Sequence, residues 1–255
     1  MRRMASSLLV VVGLGILPAG AYAEDDRQEG PIAIDKCQTI SQPGSYKLVN
    51  NLTFKGSSGA CLMITASGVT IDLVGFTISG PGTQSNTTMG TVGILASGDL
   101  SGIAVQNGSI SGFQSGVDLC ALTIPTFPAC SATGSLVEKV RVYNILGGLP
   151  FSAGISASGI VRSNAAFGTL GAPAAGIIAT GTVTGNYVTR FESGMGIRQG
   201  STVIGNTATD NRLFGFVVEC PSNVTDNTAI NNRGNLSLAI SPPQGDCITT
   251  NNVAP

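Results

Sequence analysis

The sequence predicts an all-β solenoid, in which short parallel strands stack turn upon turn. One asparagine recurs at steps of 22, 20 and 21 residues, at Asn164, Asn186, Asn206 and Asn227. Around each asparagine, Val, Ile and Thr alternate with small residues, as in half-buried strands. A fixed step of this length is typical of one small unit stacked on itself. We call each turn of the predicted coil a rung.

Alignment on these asparagines places apolar residues at constant offsets. Three columns result: Val183, Val203 and Val224; Val188, Ala208 and Ala229; Ile197, Val217 and Leu238. A single rung cannot bury its apolar edge, whereas stacked rungs bury it and pair each other's backbone groups. The asparagine amides both donate and accept hydrogen bonds, so we expect them to satisfy one another and the corner backbone.

The composition fits many short strands and excludes some partners. The chain has 35 glycines among 255 residues, 11% charged residues, and neither His nor Trp. Loss of a predicted leader would remove two of 13 basic residues and none of 14 acidic ones, for a net charge of −3. That balance argues against nucleic acid and anionic membrane surfaces as partners.

Residues 1–23 have the pattern of a secretory signal peptide. Arg2 and Arg3 precede an apolar segment at 8–17, and Ala21-Tyr22-Ala23 forms a small-residue cleavage site. The apolar segment is short for a membrane span, although an uncleaved anchor is the alternative. We therefore expect a secreted, periplasmic or cell-surface protein with no membrane span after cleavage.

The remaining chain is expected to form one domain with a cap at each end. Residues 24–67 are predicted to cap the first rung, 68–241 to form the coil, and 242–255 to form a C-terminal capping tail. Stretches beginning at Pro81 and Cys120 interrupt the repeat and are predicted to be loops. Pro242 and Pro243 cannot extend a sheet, and they are expected to blunt its last edge.

Six cysteines in a secreted chain predict disulfides. Six cysteines allow 15 pairings, and pairing of sequence neighbours is favoured: Cys37–Cys61, Cys120–Cys130 and Cys220–Cys247. The first and last pairs are separated by about one rung, so each is expected to tie adjacent rungs. The chain has no CxxC motif and no His, which makes a zinc site a weak alternative.

Three stretches resemble a known family. They are ISQPGSYKLVNNLTF from Ile40, GVTIDLVGFTISG from Gly68, and the later GNT and DNT corners. These are similar to the right-handed parallel β-helix proteins of the pectin-lyase-like fold, and in particular to secreted bacterial proteins with short parallel β-helix repeats. The resemblance covers about residues 35–250. It implies the fold but not the activity, because the fold carries lyases, hydrolases, epimerases and adhesins.

Charged residues gather in the last third of the chain. In the asparagine register, Arg190 stacks on Asp210 and Asn231, while Glu192 stacks on Arg212 and Arg233, with Tyr187 on the same side. One interpretation is an exterior ladder of mutually paired charges that keeps the surface soluble. The other is a groove whose arginines hold a carboxylate-bearing sugar. The remaining candidates, Asp72, Asp99, Asp118 and Asp246, are expected to be solvated strand or turn residues.

The predicted function is binding of an extended, acidic polysaccharide, or a cell-surface structural role, without catalysis. The first alternative is a polysaccharide lyase or epimerase acting on uronates, for which the family uses a calcium-binding carboxylate cluster and an arginine base. The family's polygalacturonase type uses a histidine, which this chain lacks. The second alternative is an adhesion or self-association module. No metal or cofactor is expected, apart from calcium if the protein is a lyase.

Overall fold

The protein is a parallel β-helix built from 25 described strands. The computed structural model describes residues 30–83, 90–120, 132–148, 152–169, 174–240 and 245–254. The strands are Ile32–Ile34 (β1), Gln38–Ile40 (β2), Gly44–Leu48 (β3), Leu52–Thr53 (β4), Gly59–Ile64 (β5), Val69–Asp72 (β6), Thr77–Ser79 (β7), Thr91–Ala96 (β8), Leu100–Ser101 (β9), Ala104–Ser111 (β10), Ser115–Asp118 (β11), Ala132–Thr133 (β12), Ser135–Ile145 (β13), Ala153–Arg162 (β14), Ala165–Gly168 (β15), Ala175–Thr184 (β16), Tyr187–Thr189 (β17), Ser193–Ile197 (β18), Thr202–Ile204 (β19), Thr207–Thr209 (β20), Phe214–Cys220 (β21), Asn223–Thr225 (β22), Thr228–Ile230 (β23), Gly234–Ile240 (β24) and Ile248–Thr250 (β25).

Among the described residues, every strand pairing is parallel, and partners come from successive turns of the chain. Strands β16, β19, β22 and β25 pair in that order along one side of the coil. Strands β15, β17, β20 and β23 do so along a second side, and β16, β18, β21 and β24 along a third. The three sides meet at corners where the chain turns.

The strand register agrees with two of the three predicted apolar columns. Val183, Val203 and Val224 are direct partners, as are Val188, Ala208 and Ala229. The third column is wrong by one position, because Ile197 pairs with Val218 rather than Val217. The rung from Asn206 carries one extra residue before β21, which shifts β21 by one position, whereas Leu238 of the next rung pairs with Val218 and keeps its predicted place.

The recurring asparagines form a buried ladder at one corner. The side-chain oxygens of Asn186, Asn206 and Asn227 each accept two hydrogen bonds from the asparagine of the preceding rung, one from its backbone N–H and one from its amide. Each amide also donates to a backbone carbonyl, as Asn206 does to Val183 at 2.8 Å. Asn252 extends the ladder beyond Asn227, at a spacing of 25 residues.

Two further ladders stabilise the other corners. At one of them, Asn211 donates from its backbone N–H and its amide to Asn232 Oδ1, both at 2.9 Å. At the other, the Ser201 backbone N–H donates to Ser222 Oγ at 3.2 Å, and each serine hydroxyl donates to a carbonyl three residues earlier. Side chains therefore satisfy the corner backbone where no strand partner is available.

The interior of the coil is a continuous apolar core, in which Ile71, Ile94 and Ile177 are 0% exposed. The walls approach closely enough that some positions admit no side chain. A Cβ added to Gly176 would lie 2.1 Å from Val188 Cγ1 and 2.8 Å from the carbonyl oxygen of Gly194. This close approach accounts for part of the high glycine content.

Two of the predicted disulfides are confirmed. Cys37–Cys61 and Cys220–Cys247 each join positions about one rung apart, with sequence separations of 24 and 27 residues. Cys120 is also disulfide-bonded, and its predicted partner Cys130 lies outside the described residues. Both bonds described here hold successive rungs together near the two ends of the coil.

The predicted domain boundaries stay predictions. Residues 1–23, the expected signal peptide, lie outside the described residues, as do parts of both predicted loops. Within the predicted N-terminal cap, β1 to β5 already pair in parallel with the strands that follow them. The described part of the chain contains no helix long and apolar enough to cross a membrane.

Candidate functional site

An aromatic surface runs along the second side of the coil. It comprises residues 141–143 of β13 and strands β15, β17, β20 and β23, which stack in this order. Val142, Ala166 and Val188 are 0% exposed and face the core, so their strand neighbours face outward. We call this surface the aromatic face, and its outward positions are Arg141, Tyr143, Ala165, Phe167, Tyr187, Thr189, Thr207, Thr209, Thr228 and Ile230, among which Thr189 is only 5% exposed.

Arg141 lies over two rings of the aromatic face. Its Cζ is 4.9 Å from the centroid of the Phe167 ring and 5.6 Å from that of Tyr143. The register explains the arrangement, because Tyr143 and Phe167 are direct partners on adjacent strands, about 4.8 Å apart. A cation at this distance is attracted by about 0.5–1 kcal/mol when exposed. The two rings therefore favour this position of the exposed guanidinium.

Tyr187 continues the aromatic face on the next strand. Its ring centroid is 5.8 Å from that of Phe167, with the planes inclined by 49°. The Tyr187 hydroxyl lies 3.2 Å from Thr209 Oγ1, whose hydroxyl donates to Thr189 Oγ1 at 3.3 Å. With Tyr187 38% exposed, the face presents ring surface followed by hydroxyl groups.

A charged corner borders the aromatic face where β17, β20 and β23 end. Arg190, Asp210 and Asn231 follow directly after aligned strand residues, and their φ angles are 65°, 54° and 58°. Asn231 donates from its amide to Asp210 Oδ1 at 3.3 Å. The structure thus brings these three together at successive rungs, as the asparagine register indicates. We use the name charged corner for Arg190, Glu192, Asp210, Arg212 and Arg233.

Glu192 and Arg212 form an ion pair on the charged corner. The Arg212 backbone N–H donates to the carbonyl of Phe191, the residue before Glu192, at 2.8 Å. Glu192 and Arg212 therefore lie on adjacent rungs. The Arg212 side chain is 61% exposed. Exposed pairs of this kind contribute about 0–1 kcal/mol. The pair therefore neutralises charge more than it stabilises the fold.

The aromatic face and the charged corner together are positively charged. They carry four arginines and two carboxylates, on a chain whose formal net charge is −1. No described carboxylate lies within ion-pair distance of Arg141, Arg190 or Arg233. Elsewhere the pattern differs, since Arg162 pairs with Glu138 at 2.9 Å. The surface therefore favours anionic groups of a ligand.

Asp118 is a buried strand residue, which corrects the expectation that it is a turn residue. It ends β11, lies opposite Ser156 of β14, and is 4% exposed. Burial raises the pKa of its carboxyl to about 6, although a hydrogen bond from the Cys120 backbone N–H opposes the shift. Ser156 Oγ is buried without a hydrogen-bond partner. Strand β11 pairs with β8 and β14 and contributes no residue to the aromatic face.

No metal site follows from the described residues. No three of their His, Cys, Asp and Glu side chains lie together in a group that could hold an ion. The Asp72 carboxylate accepts hydrogen bonds from the Val74 backbone N–H and from the side-chain amides of Gln106 and Asn107. Calcium is expected only if the protein is a lyase.

Sequence reasoning found Tyr187 and the charged corner but missed Arg141, Tyr143 and Phe167. The asparagine register offers a signal for them, because the Val140 backbone N–H donates to Asn164 Oδ1 at 2.9 Å. Val140 therefore occupies the asparagine position of the preceding rung. Counting forward from it places Arg141 and Tyr143 in the columns of Tyr187 and Thr189. Because this rung has a valine where the later rungs have an asparagine, the asparagine spacing does not mark it in the sequence.

Among known proteins, some solved structures are similar to this chain at low sequence identity. No model of a protein family matches the sequence. No curated protein matches it either. The Dettilon tailspike protein is similar with 13% identity over 86% of this chain and 54% of that one, at a TM-score of 0.47. The enzymatically active domain of tailspike protein 2 from bacteriophage CBA120 has 14% identity over 84% and 43%, at 0.32.

A third similar structure is the A-module of mannuronan C-5 epimerase AlgE6 from Azotobacter vinelandii. It has 11% identity over 84% of this chain and 87% of that one, at a TM-score of 0.30. The chain spans about half the length of the two tailspike chains. With identities and TM-scores this low, nothing about activity is carried over. The assignment of the protein to the parallel β-helix class rests on its own strand pairing.

Proposed function

We propose that this protein binds an extended, acidic polysaccharide along the aromatic face and the charged corner, without cleaving it. The observation that carries the proposal is the aromatic pair of half-buried Phe167 and exposed Tyr187. The pair is bordered by Arg141, Arg190 and Arg233, which have no acidic partner among the described residues. Sugar rings have apolar C–H faces that pack on aromatic rings, while their hydroxyls need polar partners. The aromatic face supplies both within one rigid sheet.

The regular spacing of the coil suits a repeating ligand. Adjacent strands lie about 4.8 Å apart, so equivalent outward positions recur along the axis at that distance. The Tyr187, Thr207 and Thr228 positions are direct partners on consecutive strands. A polymer that lies along the coil therefore meets outward positions at a regular spacing, although the residues at these positions differ from rung to rung. The excess positive charge favours a polymer that carries carboxylates over a neutral one.

The proposed location is outside the cytosol. Two disulfides are described, and disulfides persist chiefly in oxidising compartments. The sequence pattern of a secretory signal in residues 1–23 supports the same location. A secreted or surface-located protein would encounter extended polysaccharides there.

Binding without catalysis agrees with how the charged side chains are used. Elimination from a uronate requires a base at the sugar ring and a cation at its carboxylate. The carboxylates of the charged corner are engaged, Glu192 by Arg212 and Asp210 by Asn231. Glycoside hydrolysis requires two carboxyl groups at a fixed separation across the bond. The engaged carboxylates disfavour hydrolysis and a calcium-binding cluster, and the absorbance of unsaturated sugar ends tests whether an arginine acts as the base of an elimination.

A panel of polymers tests the proposal. The protein is run through gels that contain polygalacturonate, polymannuronate or neutral dextran, and separately incubated with each polymer while the absorbance of unsaturated sugar ends is followed. We expect retardation by the acidic polymers, less or none by dextran, and no increase in absorbance. Increasing absorbance would establish a lyase instead. Unretarded migration in every gel would overturn the proposal.

A further inference from the structure

We propose that Arg141 forms a subsite for the carboxylate of one uronate residue, whose sugar ring lies over Ala165 between Arg141 and Tyr187. This inference rests on the proposed function and names the residue that binds the carboxylate of the ligand. It concerns a rung that the charged corner does not include.

Arg141 has unused hydrogen-bonding capacity. Its side chain is exposed, and none of its five N–H donors has a partner among the described residues. Arg162, on the next rung, instead donates to Glu138 Oε2 at 2.9 Å. Both arginines are exposed on the same protein, so exposure alone does not explain why one has an acidic partner and the other does not. Arg141 keeps its charge and its donors available for a ligand.

The position of the Arg141 guanidinium is favoured before any ligand arrives. A mobile arginine loses side-chain entropy when it binds, which weakens the interaction. The rings of Tyr143 and Phe167 contact the guanidinium group, which limits this loss. A ring contact uses the charge and the flat face of the group rather than its in-plane donors. These donors match the two oxygens of a carboxylate in a fork.

The short side chain of Ala165 lies between Arg141 and Tyr187. Arg141, Ala165 and Tyr187 are direct partners on three consecutive strands and point outward. The outer two positions are therefore about 9.6 Å apart, which is two strand spacings. The Ala165 side chain is short and half-buried, so it extends less far from the sheet than the side chains on either side of it. Phe167, two residues after Ala165 on the same strand, borders this place with its ring.

These contacts suit a uronate ring in one orientation. With its carboxylate on Arg141, the ring lies above Ala165, and its apolar face packs beside Phe167 and Tyr187. The Tyr187 hydroxyl and Thr209 are 3.2 Å apart and offer polar partners for the next sugar. A sulfate ester presents similar oxygens, but it is tetrahedral and stands further from the sugar ring. The proposal commits to a carboxylate, and binding of dextran sulfate is the measurement that distinguishes it from a sulfate ester.

The test compares Arg141→Gln and Arg141→Lys with the matched control Arg162→Gln. Binding of oligogalacturonate, of a neutral dextran oligomer and of dextran sulfate is measured by titration calorimetry for each protein. Loss of a charged, forked hydrogen bond is expected to weaken oligogalacturonate binding about tenfold or more in Arg141→Gln. Arg141→Lys keeps the charge without the fork and is expected to bind more weakly than the parent. Arg162→Gln is expected to bind as the parent does.

Three outcomes overturn the subsite: equal oligogalacturonate binding by Arg141→Gln and the parent, an equal loss in Arg162→Gln, or a response of Arg141 variants to dextran sulfate alone. Circular dichroism establishes that each variant is folded.

A second measurement examines the subsite without a polymer. The Nε–H signal of Arg141 in a ¹⁵N-labelled parent protein, assigned by its absence from Arg141→Lys, is followed during titration with monomeric galacturonate and with galactose. We expect a shift with galacturonate only. An unchanged signal with both sugars contradicts the subsite, whatever the variants do. A shift in a protein that binds no polymer would support the subsite while the proposed function fails.

Discussion

Asn206 accepts two hydrogen bonds from Asn186 through one side-chain oxygen, at 3.0 Å from the backbone N–H and 2.9 Å from the amide. The same relationship recurs from Asn164 to Asn252. Each step ties two corners of the coil together where their backbone groups cannot join a strand. The ladder therefore stabilises the stacking of rungs rather than any single strand.

Replacement of Asn206 by Leu is expected to lower the free energy of unfolding by about 3 kcal/mol or more. The change leaves the Asn186 N–H, the Asn186 amide and the Val183 carbonyl without their buried partner, and each such group costs about 1–3 kcal/mol. Urea unfolding followed by circular dichroism measures the effect. Thr207→Val changes an adjacent, half-buried residue with no described side-chain hydrogen bond, and it should cost less than about 0.5 kcal/mol. Equal stability of both variants would contradict the ladder's role.

Replacement of Cys220 and Cys247 by Ala is expected to cost about 3.5 kcal/mol, from the loop-closure entropy of a 27-residue separation. The pair ties β21 to the segment before β25, so its loss should loosen the last rung first. Hydrogen exchange of the backbone amides in 248–250 should accelerate more than exchange at Val183 in the middle of the coil. Uniform acceleration throughout the chain would argue that the disulfide acts on global stability alone.

Asp118 is expected to make the protein less stable as the pH rises from about 4 to above 6. Burial raises the pKa of this carboxyl from 3.8 to about 6, so the folded chain holds the proton more tightly than the unfolded chain does. Its contribution is fully present below pH 4 and is lost as the pH passes 6, a change of about 3 kcal/mol. Asp118→Asn stays neutral and should lack this change. Parent and variant that respond identically between pH 4 and 7.5 would contradict the assignment.

Glu192→Gln is expected to strengthen binding of an acidic polysaccharide, whereas Arg212→Ala is expected to weaken it. The first change frees the Arg212 guanidinium from its pair, and the second leaves Glu192 as an uncompensated negative charge. Each effect corresponds to about 1 kcal/mol or less, which is up to about fivefold in affinity. Titration at low and high salt measures both, with the difference shrinking at high salt. Effects of the same sign in the two variants would show that the charged corner does not face the ligand.

The fold could be predicted from the sequence because its period is carried by chemistry that tolerates few substitutes. Asn206 needs both a donor and an acceptor at a buried corner, so the asparagines recur visibly. The apolar columns follow the same step, apart from the shift that Leu213 and its neighbours introduce before β21. One inserted residue moves a strand by one position and exchanges its inward and outward faces.

The candidate site could be predicted only in part. The charged corner stands out because charges are rare in this chain, and its residues follow Asn186, Asn206 and Asn227 at constant offsets. Arg141 lies on a rung that starts with Val140, where the register has no marker. The burial of Asp118 depends on contacts outside its own strand, which alternation along β11 does not reveal.

Binding on the aromatic face is tested most directly by the affinity of Tyr187→Ala for oligogalacturonate, compared with that of Ile160→Ala. Tyr187 is 38% exposed on the aromatic face, and Ile160 is 41% exposed on strand β14, outside it. Removal of the Tyr187 ring takes away the stacking surface beside Phe167, so we expect about a tenfold loss of affinity. Ile160→Ala is expected to bind as the parent does. Unchanged affinity in Tyr187→Ala, or an equal loss in both variants, would contradict binding on the aromatic face.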